Sequence, residues 1–144
     1  DISEFLIESR KYFPALFFHE QNHASLAGID GGFQNFRKAI INALAYLNDR
    51  FKTIFSECNN IMDCLRIFSA ESGIETSLVG DSSRKKNLSF IFKGKTVCCE
   101  PHMKLAKSDQ PGDSKYYFYR IYFYPGSSEI LNGKILIGHI GKHL

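Results

Sequence analysis

The sequence predicts an α+β fold, with N-terminal helices packed on a C-terminal four-stranded antiparallel sheet. Three observations predict it. Apolar residues recur at three- and four-residue steps in the first half and at alternate positions in the last third. Turn-forming clusters, Lys93-Gly94-Lys95 and Pro111-Gly112-Asp113, cut the last third into strand-length pieces. Helices come first and strands follow, which is the order of an α+β domain and not of an alternating α/β one. At 144 residues the chain suits one domain, with a helical part over 1–80 and a sheet part over 87–144.

The first helix is expected from Ile2 to Phe13, with Asp1 or Ser3 as its N-cap, and Pro14 marks its end. Ala15 to Leu26 reads as a second helix with Leu16, Phe17 and Leu26 inward, broken by Gly28-Ile29-Asp30-Gly31-Gly32. The long helix runs from Phe33 to Phe55, because Phe33, Phe36, Ile40, Leu44, Leu47, Phe51 and Ile54 draw one apolar stripe. Another covers Asn60 to Ala70, with an asparagine cap and Gly73 as its stop. Strands are expected at Leu88–Phe92, Thr96–Leu105, Lys115–Tyr124 and Lys134–Ile140.

Composition narrows the class. Hydrophobic residues make up 44% and charged residues 23%, the balance of a soluble globular domain. No apolar run approaches the roughly 18 residues of a membrane-spanning helix, so no membrane partner is expected. The chain starts at Asp1 without Met, which suggests a trimmed chain or a piece of a longer protein. Cys58, Cys64, Cys98 and Cys99 show no CxxC spacing and read as reduced, mostly buried thiols of a cytoplasmic protein. The net charge of +3 is unevenly spread, at −4 over residues 1–83 and +7 over 84–144. A basic C-terminal part suggests an anionic partner.

The predicted strands carry the candidate site. In Glu100-Pro101-His102-Met103-Lys104 alternate side chains share a face, so Glu100, His102 and Lys104 point away from Cys99, Met103 and Leu105, which are expected to face the helices. Arg120 shares a face with Phe118 and Tyr122, while His139, Lys142 and His143 follow on the last strand. Together these make a polar sheet face suited to RNA. Glu100, His102, His139 and His143 offer proton transfer near neutral pH. Lys104, Arg120 and Lys142 offer charge for a phosphate, and Tyr122 a stacking surface for a base.

The strand pair Tyr119-Arg120-Ile121-Tyr122-Phe123 and Gly133-Lys134-Ile135-Leu136-Ile137-Gly138-His139 resembles the RelE/ParE group of bacterial toxins, over about the last 30 residues. The resemblance implies a metal-independent ribonuclease without a cofactor, in which Arg120 holds phosphate and His139 or His143 transfers a proton. It also implies a protein partner such as an antitoxin.

A second motif belongs to another class. His19-Glu20-Gln21-Asn22-His23 matches H-E-x-x-H, which on a helix sets His19 and His23 on one face as Zn ligands with Glu20 as the base. That reading makes the chain a zinc-dependent hydrolase, with a third ligand drawn from Asp49, Glu57 or Asp63. A third reading is a non-enzymatic interaction domain within a longer chain.

Overall fold

The computed structural model describes residues 1–78, 88–105, 119–127 and 129–144. The basic run Arg84-Lys85-Lys86, the Pro111-Gly112-Asp113 cluster and the stretch Lys115–Phe118 lie outside the described residues.

Helix α1 spans Ile2–Tyr12 and opens with a capping box. The Asp1 carboxylate accepts from the Glu4 N–H at 2.9 Å, satisfying a donor that the first turn leaves orphaned. The next segment departs from expectation. Leu16–Phe18 forms a strand, β1, and only Asn22–Ala27 is helical, as α2. A short apolar run has no period that separates helix from strand. Here a partner strand decides, because Leu16, Phe17 and Phe18 pair in parallel with Ile135, Leu136 and Ile137. The Asn22 side-chain amide fixes the junction by donating to the carbonyls of His19 (2.9 Å) and Ile137 (2.8 Å).

The glycine breaker turns the chain through Gly31 and Gly32, both at positive φ. A 3-10 turn, Phe33–Phe36, leads into α3, Arg37–Glu57. The expected stripe is buried, from Ile40 through Leu44, Leu47 and Phe51 to Ile54. Helix α4 spans Ile61–Ser72, capped by the Asn60 side chain and ended by left-handed Gly73.

The remaining strands are β2 (Thr76–Ser77), β3 (Ser89–Phe92), β4 (Lys95–Cys98), β5 (His102–Lys104), β6 (Tyr119–Tyr124) and β7 (Ile135–Lys142). The main sheet has five strands in the order β1-β7-β6-β5-β2, so the expected four-stranded antiparallel sheet is corrected to a mixed one. Its additions are β1, paired in parallel, and the two-residue β2, both too short to carry an alternating pattern of their own. The expected strand Thr96–Leu105 is in fact two, β4 and β5, interrupted at Cys99-Glu100-Pro101. Strands β3 and β4 form a separate hairpin. Its reversal at Lys93 and Gly94 has positive φ at both positions, the two-residue turn that matches strand twist.

The sheet therefore has a hydrophobic core on each side. Toward the helices, Met103, Ile121, Phe123, Ile135, Ile137 and Ile140 meet the stripe of α3, and the Phe51 ring lies 5.2 Å from that of Phe123 and 5.5 Å from that of Phe68. On the outer face the β3–β4 hairpin lays Leu88, Phe90, Val97 and Cys99 over Tyr122 and Leu136. Cys99 thus faces outward, against expectation, because the break at Glu100-Pro101 resets the alternation.

A bulge in β7 sets the register. Tyr122 is opposite His139 and Phe123 is opposite Ile137, so Gly138 has no partner of its own. A β-carbon at Gly138 would come within 2.7 Å of Cys99 Sγ and 2.8 Å of Phe90. Gly138→Ala is expected to cost about 1–3 kcal/mol, the range for overpacking a tight core. Urea unfolding measures that cost, and faster amide exchange in β3 and β4 than in α3 would place the damage under the hairpin.

Candidate functional site

The register collects part of the predicted set. His102, Tyr122 and His139 lie directly across from one another on β5, β6 and β7, in one row on the outer face. The Tyr122 ring stands 5.1 Å from the His102 ring and 5.8 Å from the His139 ring. In the neighbouring row Lys104 is directly opposite Arg120, with Gly141 beyond.

Burial then divides the set. His102 is 5% exposed and Tyr122 is 1% exposed, so neither is open to a nucleotide. The hairpin covers Tyr122, and its hydroxyl accepts from the Leu144 N–H at 2.9 Å. The stacking role expected of Tyr122 is therefore corrected to a core role. His102 is held at both ring nitrogens. Nδ1 lies 3.1 Å from the Glu100 carbonyl and must donate to it, which leaves Nε2 to accept from the Ser77 hydroxyl at 3.4 Å. A ring fixed in this way orients the β2–β5 edge, and the expected catalytic role of His102 gives way to a positioning one.

Glu100, Lys104, Arg120 and His139 are half-buried, so they reach both protein and solvent. Lys104 donates to the Glu75 carboxylate at 2.7 Å, a partner from just before β2. Arg120 has its Nε buried and, among the described residues, without a hydrogen-bond acceptor. Such an atom costs roughly 1–3 kcal/mol and calls for an explanation. His139 Nε2 lies 2.8 Å from the Lys142 carbonyl, so it carries the proton and Nδ1 keeps its lone pair. Burial lowers the His139 pKa, and the bond to the Lys142 carbonyl opposes that shift in part.

Lys142 and His143 stand apart. Lys142 lies opposite Tyr119, whose side chain faces the helices, and it pairs with Asp30 at 3.2 Å. The expected phosphate role of Lys142 is thus corrected: three residues on from His139 in a regular strand, it lies on the opposite face. His143 is exposed, next to the Leu144 backbone that covers Tyr122.

The H-E-x-x-H spacing does not sit on one helix. His19 follows β1, Glu20 and Gln21 form a turn, and α2 begins at Asn22. His19 is 8% exposed, its Nδ1 accepts from the Gln21 N–H at 3.1 Å, and Nε2 donates to the Ile91 carbonyl at 3.3 Å. His23 Nε2 lies 3.2 Å from the Ser3 hydroxyl. Neither His19 nitrogen has a lone pair to give, and among the described residues no three His, Cys, Asp or Glu side chains gather as a metal site. The zinc-ligand reading of His19, Glu20 and His23 is corrected accordingly.

All four cysteines are free, with Cys64 and Cys99 buried. Burial pushes the Cys64 thiol up to about 12, which removes thiolate chemistry from it. Among the described residues no helix is long and apolar enough to cross a membrane.

Residues that the sequence does not point to are Glu75, just before β2, and Ser77 within it, which hold Lys104 and His102. No local pattern announces them. No protein-family model, curated protein or solved structure matches the chain.

The lowered His139 pKa has a signed consequence. The unfolded chain takes up a proton near the ordinary histidine value of 6.5, and the fold takes it up only at lower pH. Stability from this group is full above pH 6.5 and is lost as pH falls through the folded pKa. An NMR titration is expected to show His139 protonating below 6.5. Between pH 7 and pH 5, His139→Gln should lose less stability to acid than the native chain.

Proposed function

We propose that the chain acts on RNA at the outer face of the sheet, as a metal-independent ribonuclease. One observation carries this reading: two cations, Lys104 and Arg120, sit directly opposite each other, and the buried Nε of Arg120 lacks an acceptor among the described residues. Like charges opposed across a strand pair disfavour the fold; Glu75 offsets Lys104, and a phosphate bound beside Arg120 would relieve the rest. It would also supply the acceptor that Arg120 lacks.

In this reading Arg120 and Lys104 hold the scissile phosphate and stabilise its added negative charge. The neutral imidazole of His139 takes the 2′-hydroxyl proton on Nδ1. The freed 2′-oxygen bonds to phosphorus, the bond to the 5′-oxygen breaks, and a solvent water protonates that leaving oxygen. Glu100 is a further carboxylate beside the row, available as a base. The products are a 2′,3′-cyclic phosphate and a 5′-hydroxyl. The likeness of the last strands to the RelE/ParE toxins points the same way.

A fluorescently labelled single-stranded RNA tests the proposal. Arg120→Ala is expected to weaken binding about 10- to 100-fold, the worth of a hydrogen bond to a charged group. It should also lower the slope of log affinity against log salt by about 1. His139→Ala should retain binding but lose cleavage in EDTA. Binding indifferent to Arg120→Ala would remove the site from this face.

A further inference from the structure

We infer that the groove between α1 and α3 is a docking site for a cationic amphipathic helix of a partner protein. It lies on the helical side of the molecule, away from Arg120, and stands independently of the RNA reading.

The groove encloses about 710 Å³. Phe5, Phe13 and Phe33 contribute to its lining, and each is no more than 9% exposed. Two apolar side chains there stay open: Tyr12 is 72% exposed and Ile41 is 37% exposed. On a helix of 11 residues, where Phe5 and Leu6 face inward, an exposed Tyr12 is surface the fold's own core does not use. α1 is about 16 Å long at 1.5 Å per residue, enough to bed about three turns of another helix. This matches the mode in which an amphipathic helix sets anchors at i, i+3 or i+4, and i+7 into an apolar trough.

Charge selects the occupant. The carboxylates of Asp1, Glu4, Glu8 and Asp49 line the groove, and Arg37 is the single basic side chain among its lining residues. All four carboxylates have a partner already: Asp1 accepts from the Glu4 N–H at 2.9 Å and Asp49 from the Asn48 side-chain amide at 2.8 Å, while Glu4 is 3.5 Å from the Asp1 ammonium and Glu8 is 3.5 Å from Lys11. The groups in the Glu4 and Glu8 ion pairs are more than half exposed, so these pairs are weak, and Asp49 is exposed as well; the carboxylates remain able to receive Lys or Arg. An acidic rim repels RNA and acidic peptides and draws a basic segment into register. The occupant is therefore a helix with leucine- or phenylalanine-type anchors on one stripe and Lys or Arg on its flanks.

The test uses the whole chain and two synthetic helices of about 18 residues, long enough to hold helical shape. One is built of leucine and lysine, the other of leucine and glutamate. Calorimetry is expected to show the lysine helix binding at least about tenfold tighter than the glutamate one, with the gap narrowing as salt rises. Amide shifts should concentrate in α1 and the first half of α3. The double variant Glu8→Lys, Asp49→Lys should erase or reverse the preference, and Tyr12→Ser with Ile41→Ser should weaken the lysine helix about tenfold at unchanged circular dichroism. Equal affinity for the two helices, no binding, or shifts centred on the sheet would each overturn the inference. So would a concentration-dependent dimer that the lysine helix dissociates, since the groove would then belong to a second copy.

Discussion

A single unpaired residue in β7 governs how the two sides of this protein are distributed. Side chains alternate along a strand, so one extra residue reverses the faces of everything beyond it. Upstream of Gly138, Ile135 and Ile137 meet the helices. Downstream, Ile140 still meets them, because the bulge absorbs one step. Without it His139 would stand opposite Ile121 in the helical core and Ile140 would face outward. The absent β-carbon also lets Phe90 and Cys99 settle on the sheet, which closes the second core. Register, hairpin packing and the position of His139 are thus one constraint.

The outer face is a balance between closure and access. The hairpin and the backbone of Leu144 bury Tyr122, and Ser77 and the Glu100 carbonyl bind His102 in one tautomer. These groups give the face rigidity, since every hydrogen bond of a buried imidazole that is satisfied removes a way for its strand to slip. At the margin, Lys104, Arg120 and His139 remain half-buried. Burial there strengthens electrostatics without sealing the site, and one carboxylate, Glu75, offsets part of the local charge. A margin of this kind is what the proposed phosphate site requires, since its groups are held in place before any ligand arrives.

Much of this was legible in the amino-acid sequence, and the exceptions have physical causes. The stripe from Ile40 to Ile54, the Asn60 cap, the Gly73 stop and the Lys93-Gly94 reversal each follow from local preference, so the helices and hairpin emerge from spacing alone. The strand at Leu16–Phe18 does not, because its state depends on Ile135–Ile137, far along the chain. Alternation correctly sets Arg120 with Tyr122 and His102 with Lys104. It fails at Cys99, where the chain leaves one sheet for another, and across Gly138, where the bulge puts Leu136 and His139, three residues apart, on one face. A glycine within a strand pattern, as in Ile137-Gly138-His139, is the local sign that was available. Burial of Tyr122 beneath a separate hairpin has no such sign. The H-E-x-x-H match shows the converse case, in which a familiar spacing does not set its two histidines on one helix face, because α2 begins only at Asn22.

The parallel pairing of β1 with β7 bears on how the protein is made. Leu16 finds its partner Ile135 only after about 120 further residues, a separation that makes loop closure slow. The His19 N–H and the Asn22 side chain also await the same carbonyl, that of Ile137. During synthesis the helices can form early, yet Leu16, Phe17 and Phe18 have no strand to join until residue 137 has left the ribosome. Until then the nascent chain exposes an apolar strand edge, the surface that chaperones hold and that aggregates recruit. The strand β7, made about 120 residues after β1, is the one that permits β1 to fold.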